Sequence, residues 1–190
     1  MYYCALKKYD VANGEGIRTS LFVSGCRNRC RGCFQPETWA FDYGSPFTDD
    51  VRDEIYRTME SSSVRGLTVL GGEPMEPENQ AALYPFLLEF KEKFPDKTVW
   101  LFTGNLYEEL TGECGSHPKC LDITAPLLSL VDILVDGRFV EEKKRLGLRF
   151  RGSLNQRIID LNKTRAEGKI VIWDGCKYDR NYKGASTDEN

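Results

Sequence analysis

The sequence predicts an α/β fold with mostly parallel strands in a single domain, and three observations carry that expectation. Short apolar runs alternate with helix-like stretches, the pattern of parallel strands joined by crossover helices. Four motifs rich in glycine, cysteine or charge each follow directly on one of those runs, as expected where reactive groups gather at the carboxyl ends of parallel strands. The 190 residues, 41% of them hydrophobic, suffice for one substantial core, and no break in composition divides them.

Taken in order, Ile17 to Ser24 reads as the first strand. Thr48-Asp49-Asp50 offers an N-cap for a short helix from Val51 to Met59, with Val51, Ile55 and Met59 at four-residue spacing. Leu67 to Leu70 is the second strand and ends at Gly71-Gly72. Pro77 to Phe94 carries Ala81, Leu83, Leu87, Leu88 and Phe90 at helical spacing, and Pro95 stops it. Thr98 to Phe102 makes a third strand, followed by Thr103-Gly104-Asn105, and Val131 to Val135 a fourth, followed by Asp136-Gly137-Arg138. Gln156 to Asp160 and Lys169 to Trp173 are shorter fifth and sixth strands, which puts the core at about 13–173 of a single domain, 1–190. Thr111 to Lys119, rich in Gly, Cys, His and Pro, is a loop added between the third and fourth strands and is expected to contact a partner. The polar stretch 174–190 is expected to be a flexible tail.

Net charge is only −3 with the two signs interspersed, so the broad basic surface of a nucleic-acid binder is absent. No apolar run is long enough to span a bilayer, and Met1-Tyr2-Tyr3-Cys4 lacks the charged and apolar regions of a leader, so a cytoplasmic protein without membrane contact is expected. Seven cysteines, three of them crowded together, point to metal chemistry in a reducing compartment rather than a disulfide framework.

Those three are Cys26, Cys30 and Cys33, spaced C-x3-C-x2-C just after the first strand. A closed zinc site wants four ligands in nearby pairs and a buried cubane four thiolates, so a tight triplet suits an iron–sulfur cluster with one iron left open for chemistry. The alternative is a zinc site completed by Cys4, Cys176 or His117, for which the second pair is missing. An auxiliary metal site from Cys4, Cys114, Cys120 and Cys176 suffers from wide separation, and His117 otherwise reads as a loop residue. Arg27, Arg29 and Arg31 interleave with the triplet. Either they raise the potential of an anionic cluster and dock an acidic electron donor, or they are a solvated loop. Gly71 and Gly72 let a ligand lie against the backbone, and Glu73 can accept hydrogen bonds from a ligand ammonium group.

The triplet resembles the signature of the radical S-adenosylmethionine (SAM) superfamily. Leu70-Gly71-Gly72-Glu73-Pro74 resembles its methionine-binding turn, and Asn13-Gly14-Glu15-Gly16-Ile17-Arg18 the lead-in of glycyl-radical activating enzymes. The runs Val131 to Phe139 and Leu148 to Arg157 are similar to the activating proteins of anaerobic (class III) ribonucleotide reductase, and the matches together cover most of Asn13 to Asp160. One position departs from the superfamily: Gly32 precedes the last cysteine where an aromatic residue is common, with Phe34 just after it, an arrangement similar to the reductase branch.

The resemblance implies a partial, TIM-like β/α barrel of the radical SAM type, its open side admitting a macromolecular substrate. It implies one 4Fe-4S cluster on Cys26, Cys30 and Cys33, with SAM on the fourth iron. The Gly32 to Phe34 backbone and the Phe34 ring would border the adenine, and Gln35 would take an amide role filled by Asn in related activases. Arg18 would point near the cluster or the incoming glycine loop. Asp136 and Arg138 would hold the ribose hydroxyls and the SAM carboxylate, or else form a structural ion pair. Ser153, Asn155, Gln156 and Arg157 are diagnostic of the branch without an evident atomic role. The implied reaction is reductive cleavage of SAM to methionine and a 5′-deoxyadenosyl radical, which takes a Cα hydrogen from one glycine of the anaerobic reductase, with flavodoxin or a similar reductant as donor. An activase of the pyruvate formate-lyase type, a small-molecule radical SAM enzyme, a zinc-stabilised interaction module and an iron–sulfur electron carrier are the rival readings.

Overall fold

The computed structural model describes residues 1–175. Its elements, in chain order, are β1 (Tyr2–Asp10), β2 (Ile17–Val23), β3 (Ser45–Pro46), α1 (Asp49–Met59), β4 (Val64–Gly71), α2 (Pro77–Lys93), β5 (Thr98–Phe102), α3 (Tyr107–Leu110), α4 (Thr124–Ser129), β6 (Ile133–Asp136), β7 (Arg157–Asp160) and α5 (Leu161–Glu167). One sheet takes the strands in the order β3-β1-β2-β4-β5-β6-β7. The four central strands β2, β4, β5 and β6 are parallel, because each returns through helical crossovers on one side of the sheet. Antiparallel strands flank them: β1 and β3 on one edge, β7 on the other.

Three expectations need correction. β1 was not foreseen: its tyrosines and lysines leave it only half-buried near an edge, so it lacks a clean apolar period. The fifth strand exists as β7 but runs antiparallel to β6, so the β/α alternation ends there. The sixth shrinks to one bridge between Ile159 and Ile172, and the two edge strands β3 and β7 do not pair, which leaves an open sheet. Of the stretch expected to be a tail, 176–190 lies outside the described residues, and so does Cys176.

The two faces of the sheet differ in chemistry. Leu21, Val23, Leu67, Val69, Val99, Leu101 and Leu134 face α1 and α2, meeting Ile55, Met59, Leu83, Leu87 and Phe90 in the main core. Each such burial contributes roughly 1.5–3 kcal/mol. Two acidic residues open α1, and Pro77 stands in the first turn of α2, where its missing N–H costs nothing. The alternate residues face the other way: Arg18 beside Gly66, Ser20 beside Thr68, Phe22 beside Leu70, Trp100 beside Ile133 and Phe102 beside Val135. The connection 137–156 between β6 and β7 carries a short 3-10 turn (Glu141–Lys143) and leans on the cysteine loop, where Arg31 pairs with Glu141 at 3.1 Å and the Phe34 and Phe139 rings lie 5.3 Å apart.

Candidate active site

The cysteine loop leaves the carboxyl end of β2 and is pinned there by main-chain bonds. Gly25 N–H donates to Thr38 O at 2.8 Å, Gly72 N–H to Val23 O at 2.8 Å and Glu73 N–H to Gly25 O at 2.9 Å. The glycine turn therefore lies backbone against backbone on the start of the loop. A Cβ at Gly71, whose φ is +110°, would stand 2.7 Å from Val23 O, and one at Gly72 would stand 2.8 Å from Gly25 O. Glycine is required here first by chain packing, before any ligand is considered.

Cys26, Cys30 and Cys33 are free thiols that open on one cavity of about 500 Å³, a volume in the range of small-molecule sites. Phe22, Leu70 and Phe102 form its apolar floor, and Phe34, Gln35, Gly71, Gly72, Asn13, Asn28, Trp39, Thr103, Gly104 and Gln156 also line it. Burial pushes the Cys26 thiol up to about 11. The Asn28 and Arg29 N–H groups oppose that push, Glu73 adds to it and Lys119 reduces it. Burial also raises Cys30, against the Arg138 guanidinium and the Phe139 N–H. Taking up a metal would therefore release protons from these sulfurs.

Glu73 is fully buried and does not line the cavity. Its Oε1 accepts from Met75 N–H at 3.0 Å and Thr103 Oγ1 at 2.7 Å, and its Oε2 from Gly104 N–H at 2.8 Å and Asn28 Nδ2 at 2.6 Å. Protein donors thus take the acceptor sites expected for a ligand ammonium. A second buried carboxylate, Glu76, accepts from the Arg27 N–H at 2.8 Å and the Arg27 guanidinium at 2.7 Å, and pairs with Lys119 Nζ at 2.9 Å. Burial works to raise Glu76, but Arg27 and Lys119 outweigh it and leave the carboxyl below its usual value.

The remaining expected residues divide by place. Gly32, with φ +70°, turns the loop against the Glu141 side chain and is exposed. Arg138 is exposed, and its charge reaches Cys30 without its lining the cavity. Asp136 does form an ion pair, but with Arg157 and not with the Arg138 expected beside it: fully buried, its side chain accepts from Arg157 Nε at 2.9 Å and from Tyr107 N–H at 2.9 Å. Arg18 lies at the start of β2, away from the cysteine end. Its donors reach neutral oxygens of Thr68, Leu67 and Thr98, its guanidinium lies over Trp100, and burial lowers it to about 9. It lines a separate polar cavity of about 340 Å³ at the opposite end of the strands.

Residues the sequence left unassigned also take part. Gln156 folds back to donate to Gly137 O at 3.0 Å and accept from Gly152 N–H at 2.8 Å, which closes the base of the 137–156 connection beside the cavity. Asn28 sat in plain view between the cysteines, whereas Lys119 carried no local signal, because its contact is 91 residues away.

Three thiols on one wall, with space beside them, fit a cluster bound at three corners. Among the described residues, no three His, Cys, Asp or Glu side chains gather closely enough to hold a single ion. A cubane does not need that convergence, since each thiolate takes its own iron.

Comparison with known proteins points to a 4Fe-4S cluster domain. The family of the 4Fe-4S single cluster domain matches residues 12–159. The chain is 37% identical over 158 residues to the anaerobic ribonucleoside-triphosphate reductase-activating protein of Pasteurella multocida (strain Pm70), covering 82% of this chain and 95% of that one. Proteins of the same name from Vibrio cholerae serotype O1 and Escherichia coli (strain K12) are 38% and 32% identical, each over 82% of this chain and 96% of theirs. No helix among the described residues is long and apolar enough to cross a membrane.

Proposed function

The chain belongs to the 4Fe-4S single cluster domain family and, within it, to the anaerobic ribonucleoside-triphosphate reductase-activating proteins, and from that premise we propose that it uses SAM to place a glycyl radical on an anaerobic ribonucleotide reductase. The observation that carries the reading is the opening of Cys26, Cys30 and Cys33 on one cavity beside the Gly71-Gly72 turn.

Cys26, Cys30 and Cys33 would hold the cluster, which when bound supplies one electron to split the sulfonium of SAM. Phe22, Leu70 and Phe102 keep the floor of the cavity apolar and exclude water from it. Gly71 and Gly72 present a bare backbone to the ligand, and Phe34 stands exposed at the mouth, where its ring can cover the adenine. The Gln35 amide lines the same wall. Of the interleaved arginines, Arg27 is tied to Glu76 and Glu78 and Arg31 to Glu141 and Glu142, while Arg29 is exposed with no ion-pair partner among the described residues. An acidic donor such as flavodoxin would meet Arg29 first. An incomplete β/α barrel of the radical SAM type is the finer fold reading that accompanies this function, supported by the four parallel strands and the cavity at their carboxyl ends.

Anaerobic reconstitution with iron and sulfide, then dithionite and SAM, should yield 5′-deoxyadenosine and methionine. Adding the anaerobic reductase should produce a glycyl doublet by electron paramagnetic resonance. Absence of 5′-deoxyadenosine from a fully loaded protein sinks the SAM chemistry, and a doublet formed only on a pyruvate formate-lyase type partner moves the assignment to that partner.

A further inference from the structure

We propose that Lys119 is a positioning residue for the cluster loop, one whose buried ammonium clamps Asn28 between Cys26 and Cys30 and makes the cluster easier to reduce. The proposal rests on the reading above that these cysteines hold a 4Fe-4S cluster. Lys119 closes the 111–119 segment, and its side chain is 9% exposed. Its Nζ donates to Asn28 Oδ1 at 2.8 Å and lies 2.9 Å from Glu76 and 4.0 Å from Glu73. Asn28 is therefore held at both ends of its amide, by Lys119 on the oxygen and by Glu73 on the nitrogen. Gly104 leaves room for this wedge, since a Cβ there would stand 2.5 Å from Asn28 Nδ2.

The charge balance gives the ammonium a second consequence. Glu73 and Glu76 are both buried beside a loop meant to carry three thiolates, and Lys119 is the buried cation among them, Arg27 being half exposed. Net charge and hydrogen bonding are the protein's levers on cluster potential. Removing this cation leaves the site one charge more negative, which disfavours the added electron. The Lys119 backbone is fixed independently of its ammonium, through its carbonyl, which accepts from Gln80 Nε2 at 2.8 Å and Thr124 Oγ1 at 3.0 Å. A Lys119→Met chain therefore has reason to fold.

The test is a dithionite titration of the reconstituted full chain, monitored by electron paramagnetic resonance, on wild type, Lys119→Met, Lys119→Arg and Glu76→Gln. Lys119→Met should shift the midpoint potential to a more negative value, Lys119→Arg should restore it, and Glu76→Gln should shift it the other way. A loaded Lys119→Met chain with the wild-type potential overturns the proposal. Should Lys119→Met fail to take up iron, Glu76→Gln decides: a less negative potential supports the charge effect, and an unchanged one overturns it. A wild-type chain that takes up no 4Fe-4S cluster refutes the underlying reading instead, and the proposal falls with it.

Discussion

Replacing Glu73 with Gln should weaken the fold before it weakens any ligand contact. Both carboxylate oxygens accept two donors, so an amide nitrogen in place of either must face groups that also donate. Turned toward Gly104 and Asn28, it orphans two N–H groups. Turned the other way, it faces the Met75 N–H and the Thr103 hydroxyl, which already accepts from Asn105 N–H and Asn105 Nδ2. At least one buried donor is left unpaired, at roughly 1–3 kcal/mol, and the surviving bonds lose their charge assistance, so a total of about 2–4 kcal/mol is expected. In a chain of this size that corresponds to a melting point lower by roughly 5–15 °C. The assay is thermal and urea unfolding of the cluster-free chain, paired with SAM affinity of the loaded one. Unchanged unfolding together with lost SAM binding would refute the reasoning and return the Glu73 carboxylate to the ligand.

Gly72→Ala should lower iron and sulfide per chain, because the new methyl meets the backbone oxygens of Gly25 and Thr38 at 2.8 and 3.1 Å, and wild-type iron content would contradict it. Arg157→Met should cost about 3 kcal/mol in urea unfolding, since it strips the cation from a fully buried Asp136 and also from Glu108; an unchanged midpoint would refute it. The Arg27 guanidinium holds Glu78 down from 4.5 to about 2. A folded-state value below the unfolded one adds stability that is complete above about 4.5 and lost as pH falls toward the folded value. The melting point should fall more steeply with acid between those limits for wild type than for Glu78→Gln, and parallel curves would remove the pair from the account.

What could be read in the sequence was local. The cysteine triplet follows β2, and the motifs after β4, β5 and β6 reach the same rim because those strands are parallel. Arg18 shows the limit of reading motifs without strand geometry: it precedes Val23 by five residues of β2, which at 3.3 Å per residue is roughly 16 Å from the cysteine end. The direction of β7 was hidden because the 137–156 excursion before it can return the chain either way. Glu73 was read by its neighbours in sequence, yet three of its four donors, Asn28, Thr103 and Gly104, stand 45, 30 and 31 residues away.

The same long-range ties explain how an irregular loop can present three sulfurs to a cavity while only Cys26 of the three is buried. Packing alone would hold the loop by covering it, which would close the face that an open iron needs. Here Glu73 and Glu76, fixed between β4 and α2, grip Asn28 and Arg27 from behind by directed bonds. Cys30 and Cys33 remain half-exposed on the far side. Directed bonds from Glu73 and Glu76 thus hold the loop between its first two cysteines. Residues that never touch the cluster, Lys119 foremost, are thereby given control over how the cluster sits and how readily it accepts an electron.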